Sequence, residues 1–227
     1  MREAVNGMSR IGNKEAGFTL VELMISMAVA GIVMAAIYSS YYSQQKAYVT
    51  QEQVAQMQQN LRAAMYHLER DIRMAGYDPT GKTGAGIALA PDFRLTKDEN
   101  ENGVIGNDSN EDIIYRLEAD PVHAGRNNLV RRIQTASGAQ SHLVAESIDA
   151  LDFQPLTETG APTVTPSAIR SVQISIVART SRIDPGHTDT TVYRNLRGTP
   201  IYTPGGDAAR FRRNMLRVEV RCRNLGL

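Results

Sequence analysis

From Phe18 to Ile37 the chain runs twenty residues with a single charge, Glu22. Twenty mostly apolar residues in a helix are long enough to cross about 30 Å of hydrocarbon. No proline occurs before Pro79, so no ring breaks the backbone where the apolar run ends. Further on, Val54, Met57, Leu61, Met65, Leu68, Ile72 and Ala75 follow at spacings of 3, 4, 4, 3, 4 and 3, one stripe of an α-helix. Arg70 and Arg73, then Gly76, then Pro79 give the stop signals. Residues 18–75 as one helix would be about 87 Å long at a rise of about 1.5 Å per residue. The pattern predicts a first half suited to lipid and a second half that offers its stripe to a folded core. The stripe reads as core-facing, because it spans only about three heptads and lacks flanking charge pairs.

The residues before the run, MREAVNGMSRIGNKEA, are polar, with Arg2, Arg10 and Lys14 against Glu3 and Glu15. A secretory signal would have a shorter apolar region followed by small residues at a cleavage site. Here YSSYYSQQ follows, so the run is expected to be retained as a single membrane span. The basic side should stay cytoplasmic and the rest should be exported. Met8 is a second possible start, which would leave the ten-residue leader MSRIGNKEAG. Glu22 is a cost in such a span: about 3 kcal/mol for a carboxylate at the bilayer centre, and less near an end.

Beyond the helix the chain is ordinary globular material, 42% hydrophobic and 22% charged. A net charge of +1 offers no bulk field for nucleic acid, and no nucleic-acid partner is expected. One cysteine, Cys222, excludes an internal disulfide and a cysteine metal knuckle. An exported domain of roughly 150 residues must then fold by its core alone, which that size permits. Residues 76–110 read as irregular, rich in glycine and proline and ending in the polar KDENENGVIGNDSNED. From residue 112 the period falls towards two. DIIYRLE, NLVRRIQ, SHLVAESIDALDF, IRSVQISIVART and MLRVEVRCRN read wholly or partly as strands. In IRSVQISIVA the apolar residues alternate with polar ones, which predicts one buried and one wet face. Leu216, Val218, Val220 and Cys222 place the cysteine on a buried face. The expected class is α+β, a long N-terminal helix packed on an antiparallel sheet.

Gly17-Phe18-Thr19-Leu20-Val21-Glu22, behind a polar basic leader and ahead of an apolar helix, resembles the prepilin cleavage and methylation motif of type IV pilins and type II secretion pseudopilins. The remainder is similar to the PilW group of minor pilins, related to the J-type minor pseudopilin. AGYDP at the helix end, LVAESIDALDF, IRSVQISIVART and RRNMLRVEVRCRNL carry that similarity in the same order. The resemblance implies a type IV pilin-like fold and an assembly role. Residues 1–17 would be a cleaved leader and 18–38 the transmembrane or filament-core helix. Residues 39–76 would be its amphipathic continuation and 77–227 a β-rich periplasmic or extracellular domain. A prepilin peptidase would cut between Gly17 and Phe18, and the Phe18 amine would be methylated. Glu22 would pair with such an amine, its own or a neighbour's, during assembly. Other minor and major pilins, the inner-membrane assembly platform and, before assembly, membrane lipid are the partners implied. Many members have a proline at the position of Ser39, and this chain does not, so no kink is argued there.

Asp98-x-Asn100-x-Asn102-Gly103-Val104-Ile105 matches the opening of a calcium loop, with side-chain oxygens at alternate positions, a glycine for the turn and the Val104 carbonyl. Position twelve is Ser109 where a glutamate would stand. Asp108, Glu111 or Asp112 is left to supply the missing carboxylate, and Glu111 completes the candidate set. Without flanking helices this would not be an EF-hand. The same composition also makes an ordinary solvated turn.

His67, His123, His142 and His187 lack metal spacing, and no phosphate-binding or nucleophile motif occurs. GKTGAG at 81–86 reads as loop. Arg131-Arg132 and Arg210 with Arg212-Arg213 read as solvated or loosely paired faces. Three functions stand: a minor pilin that initiates a pilus near its tip, a minor pseudopilin of type II secretion, and a tip-exposed adhesin or ligand-binding module. The last would need an exposed groove on residues 76–165. No acid–base or nucleophile constellation supports an enzyme.

Overall fold

The computed structural model describes residues 17–106, 108 and 110–226. The leader up to residue 16, with the alternative start at Met8, and Ser109 of the acidic loop lie outside them. The chain divides into two compact units, one ending at Tyr48 and the other beginning at Val49.

A single helix, α1 (Leu20–Met74), contributes to both units. In the second unit its stripe is the spine of the core. Met57, Leu61, Met65, Leu68, Ile72 and Ala75 are buried, with Ala64 beside them and Val54 packed at the margin. Gly76 then ends the helix with φ +80°, a conformation that favours glycine. A Cβ there would stand 2.2 Å from Leu225 Cδ2, so the closing turn is also tight. Its N–H donates to the Thr96 carbonyl at 2.9 Å, which ties the helix end to a sheet.

That sheet is an antiparallel meander of five strands in chain order, β1 (Ile87–Ala88), β2 (Phe93–Thr96), β3 (Asp112–Ala119), β4 (Asn127–Thr135) and β5 (Gly138–Ala145). The first two strands fall where the sequence reads as irregular. They are two and four residues long, too short for a period to register, yet Phe93 and Leu95 both reach the core. A second sheet has the order β10-β7-β6, from β6 (Ile148–Leu156), β7 (Ser171–Arg179) and β10 (Arg213–Arg221). Strands β8 (Tyr193–Arg194) and β9 (Pro200–Tyr202) form a separate pair. The stretch SHLVAESIDALDF is thus split between the two larger sheets. The break falls at Glu146-Ser147, where Ser147 has φ 59°.

Strand β7 differs from the one-wet-face expectation. Val172, Ile174, Ile176 and Ala178 are buried as the alternation predicts, but Ser175, Val177 and Arg179 on the opposite face are buried too. The segment between β7 and β10 covers that face. Asn195 donates to Asp152 on the neighbouring strand at 3.1 Å, and the Arg179 guanidinium lies 4.2 Å from the Phe211 ring centroid.

One arginine of each basic cluster departs from the expected solvated or loosely paired face, while Arg210 and Arg212 stay partly exposed and paired with Asp207 and Asp184. Arg131 on β4 donates to Asp71 of α1 at 2.7 Å, and the buried Tyr115 hydroxyl donates to the same carboxylate oxygen at 2.8 Å. This joins the helix to β3 and β4 through a partly buried ionic contact. Arg213 is wholly buried between Asp149 and Asp189.

Cys222 is buried just past the end of β10, and burial pushes its thiol up to about 12. The reactive thiolate is therefore scarce at pH 8. A thiol reagent at that pH is expected to label the native protein at least about a hundredfold more slowly than the urea-unfolded chain. Equal labelling rates would contradict the burial.

Candidate functional site

The candidate site is the start of α1. Gly17, Phe18 and Thr19 precede the helix, and Phe18 is 88% exposed. A Cβ on Gly17 would meet nothing within 4 Å, and Gly17 is not among the positive-φ glycines. The fold therefore imposes no need for glycine at position 17.

Thr19 and Glu22 form a reciprocal cap. The Thr19 N–H and hydroxyl both donate to Glu22 Oε2 at 2.9 Å, and the Glu22 N–H donates to Thr19 Oγ1 at 3.3 Å. The first backbone turn closes from Leu23 N–H to the Thr19 carbonyl at 3.1 Å. This is a capping box, and the Thr-x-x-Glu spacing is the sequence signal that identifies Thr19 as its other half. It satisfies orphan donors at the helix start and sets a negative charge at the positive end of the helix dipole. No cation among the described residues pairs with Glu22. The site therefore holds a carboxylate oriented towards the helix start without neutralising it.

The residues that follow carry no core. Every residue from Gly17 to Tyr48 is exposed, including Leu20, Val21, Leu23, Ile25, Ile32 and Ile37. The helix is long and apolar enough here to cross a membrane, by length and composition.

The acidic loop lies elsewhere, between β2 and β3. Asp98 is fully buried, with Oδ1 accepting the Asn102 N–H at 3.1 Å and Oδ2 the Gly103 N–H at 2.9 Å. Asn100 Oδ1 accepts the Asn102 N–H at 3.1 Å, and Asn102 Oδ1 accepts the Val104 N–H at 2.8 Å. Asn100, Asn102 and Val104 are exposed, and Glu111 is fully buried. Asp112 is held by Arg94 at 2.6 Å, and Asp108 accepts from the Asn100 amide. Among the described residues no three His, Cys, Asp or Glu side chains gather as a metal cluster. An open groove of about 710 Å³ sits between β3 and β6, where Phe93 and Phe153 stack with centroids 3.8 Å apart.

Comparison with known proteins gives two family matches. Residues 12–38 match the prokaryotic N-terminal methylation motif. Residues 50–196 match prepilin peptidase-dependent protein B. No curated protein matches. Among solved structures, a type IV-like pilin from Thermus thermophilus is similar at 14% identity and a TM-score of 0.45, over 74% of this chain and 97% of that one. The second match alone spans more than half of the 227 residues, so the chain belongs to the prepilin peptidase-dependent protein B family.

Proposed function

We propose that this type IV pilin-like protein is a minor pilin of PilW type, and that it takes part in initiating pilus assembly at or near the tip. The observation that carries the assembly reading is the Gly17-Phe18 junction, exposed and unconstrained, ahead of an exposed apolar helix capped by Glu22. Cleavage after Gly17 leaves Phe18 as the first residue, with a methylated amine four residues from Glu22. Before assembly the helix sits in the inner membrane and the second unit in the periplasm. Afterwards the helix joins the filament core with other pilins, and the second unit is at the cell surface. The chain acts as a structural subunit and carries no catalytic machinery of its own.

Two measurements test this. Intact mass of the chain from cells with the prepilin peptidase should correspond to residues 18–227 plus one methyl, and from cells without it to the uncut chain. An uncut chain in peptidase-positive cells would overturn the processing. Deleting the gene should lower the number of pili per cell without shortening those that form. Normal pilus numbers with a loss of protein secretion would favour a minor pseudopilin of type II secretion instead. The groove at Phe93 and Phe153 favours a second reading, a tip-located binding module. Under that reading Phe153→Ser would abolish surface binding while pilus numbers stayed normal.

A further inference from the structure

We propose that the loop from Asp98 to Glu111 is a calcium site, with the Asp98 carboxylate, the Asn100 and Asn102 side-chain oxygens, the Val104 carbonyl and the Glu111 carboxylate as ligands. The first part of the argument is donor chemistry. All five groups present oxygen, the choice of a hard cation, and a bidentate Glu111 brings the set to about six oxygens, within the calcium range. Two carboxylates balance a divalent charge, and the amide and backbone oxygens add none.

Backbone N–H groups orient three of the side-chain donors before any cation enters. Asp98 receives two backbone N–H groups, and Asn100 and Asn102 each receive one, which fixes the rotamers of all three. Each oxygen keeps a lone pair beyond the one engaged. Gly103, at φ 77°, makes the turn that lets Val104 follow, and Glu101 bends the chain at φ 62°.

The independent observation is Glu111. The chain enters the loop at Asp98 and closes it at Glu111, whose carbonyl accepts the Lys97 N–H at 2.9 Å. Glu111 is 0% exposed, and neither of its carboxylate oxygens has a hydrogen-bond partner among the described residues. A buried carboxylate without a donor or counter-charge is costly. Three cations nearby are committed to other partners: Lys97 to Glu99 at 2.8 Å, Arg94 to Asp112 and Arg131 to Asp71. Asp108 and Asp112, the other two acids that could close the set, have partners, while Glu111 has none among the described residues. A divalent cation bound between the two buried ends of the loop, Asp98 and Glu111, supplies the counter-charge that no hydrogen-bond partner among the described residues gives Glu111. Its path from solvent is past the exposed Asn100 and Asn102. Magnesium demands a tighter octahedron and sheds water reluctantly, so a loop built of side-chain and backbone oxygens favours calcium.

The test uses the full chain in detergent micelles, stripped with a chelator and titrated calorimetrically with calcium chloride. One calcium per chain is expected, with a rise in melting temperature of several degrees, and a much smaller response to magnesium. Terbium is a second probe: the Tyr77 hydroxyl donates to Glu101 within the loop at 2.8 Å, and the chain has no tryptophan, so tyrosine-sensitised terbium emission should appear and calcium should quench it. Glu111→Gln should weaken calcium binding at least about tenfold. In chelator the same variant should melt no lower than the native sequence, because a buried amide is cheaper than a buried unpaired carboxylate. Absence of heat and of a melting shift at millimolar calcium would overturn the site. Unchanged calcium affinity in Glu111→Gln would overturn the role of Glu111.

Discussion

Replacing Arg213 with alanine is expected to destabilise the second unit by about 3–5 kcal/mol, the range found when one partner of a buried ion pair is removed. The Arg213 side chain is wholly buried. Nε lies 2.7 Å from Asp149, and Nη1 lies 3.3 Å from Asp189. The guanidinium also donates to the carbonyls of Ala208 at 2.7 Å and Phe211 at 3.1 Å. It therefore fastens the segment before β10 to the start of β6. In its absence Asp149 keeps Arg179 at 3.5 Å, and Asp189 keeps the Thr191 N–H and the Tyr193 hydroxyl, but one buried negative charge is left uncompensated. For a unit of this size the loss corresponds to a fall in melting temperature of about 6–20 °C. Circular dichroism of the full chain in detergent measures it, and a fall of under two degrees would contradict the role.

The variant should also respond differently to acid. Burial raises the Asp189 carboxyl, but the Thr191 N–H, the Tyr193 hydroxyl, the Thr191 side chain and Arg213 outweigh it and hold it below its ordinary value. A group depressed in the folded state contributes stability above its unfolded pKa and loses it as pH falls through the folded one. Native stability from Asp189 is therefore complete at neutral pH and fades below about pH 4. Without Arg213 one of the depressing contacts is gone, so the folded pKa moves up towards the unfolded one and less stability is lost on acidification.

Arg213 also shows where the sequence stops being informative. Arg210, Arg212 and Arg213 look alike locally, and composition assigns such clusters to solvent. The partners that bury Arg213 lie 64 and 24 residues away, and no periodicity announces a pairing at those separations. The same holds for Arg131, whose partner Asp71 is 60 residues back on the helix. The second buried face of β7 was illegible for a related reason. Its cover comes from an irregular segment, where residues such as Asn195 and Phe211 make single contacts rather than a repeating pattern. What is local and periodic was legible: the stripe from Met57 to Ala75, the strands of the two larger sheets from residue 112 onward, though not the short β8 and β9, and the Gly17–Glu22 motif. The acidic loop falls between. Its donor spacing is local, but that Glu111 is the acid left without a partner depends on Arg94 and Asn100 taking the other two.

At the helix start, Glu22→Ala is expected to leave cleavage after Gly17 largely intact and to lower incorporation into pili about tenfold or more. Under the proposed assembly reading Glu22 has two separable duties. One is the cap, shared with Thr19, which satisfies donors at the helix start. The other is its charge, which the cap orients but does not neutralise. In lipid an unpaired carboxylate is penalised, and pairing with the amine that cleavage creates at Phe18 would offset much of the desolvation of both. A tenfold change corresponds to about 1.4 kcal/mol, modest for such a pair. Two further variants separate the duties. Glu22→Gln keeps an oxygen for Thr19 and removes the charge, while Thr19→Ala removes the hydroxyl of the cap and keeps the charge. If the charge drives docking, Glu22→Gln should behave like Glu22→Ala, and Thr19→Ala should stay within about threefold of the native sequence. If the cap is what matters, the order reverses. Quantifying mature chain in sheared pili against mature chain in membranes reads both, and native-level incorporation of Glu22→Ala would remove the docking role altogether.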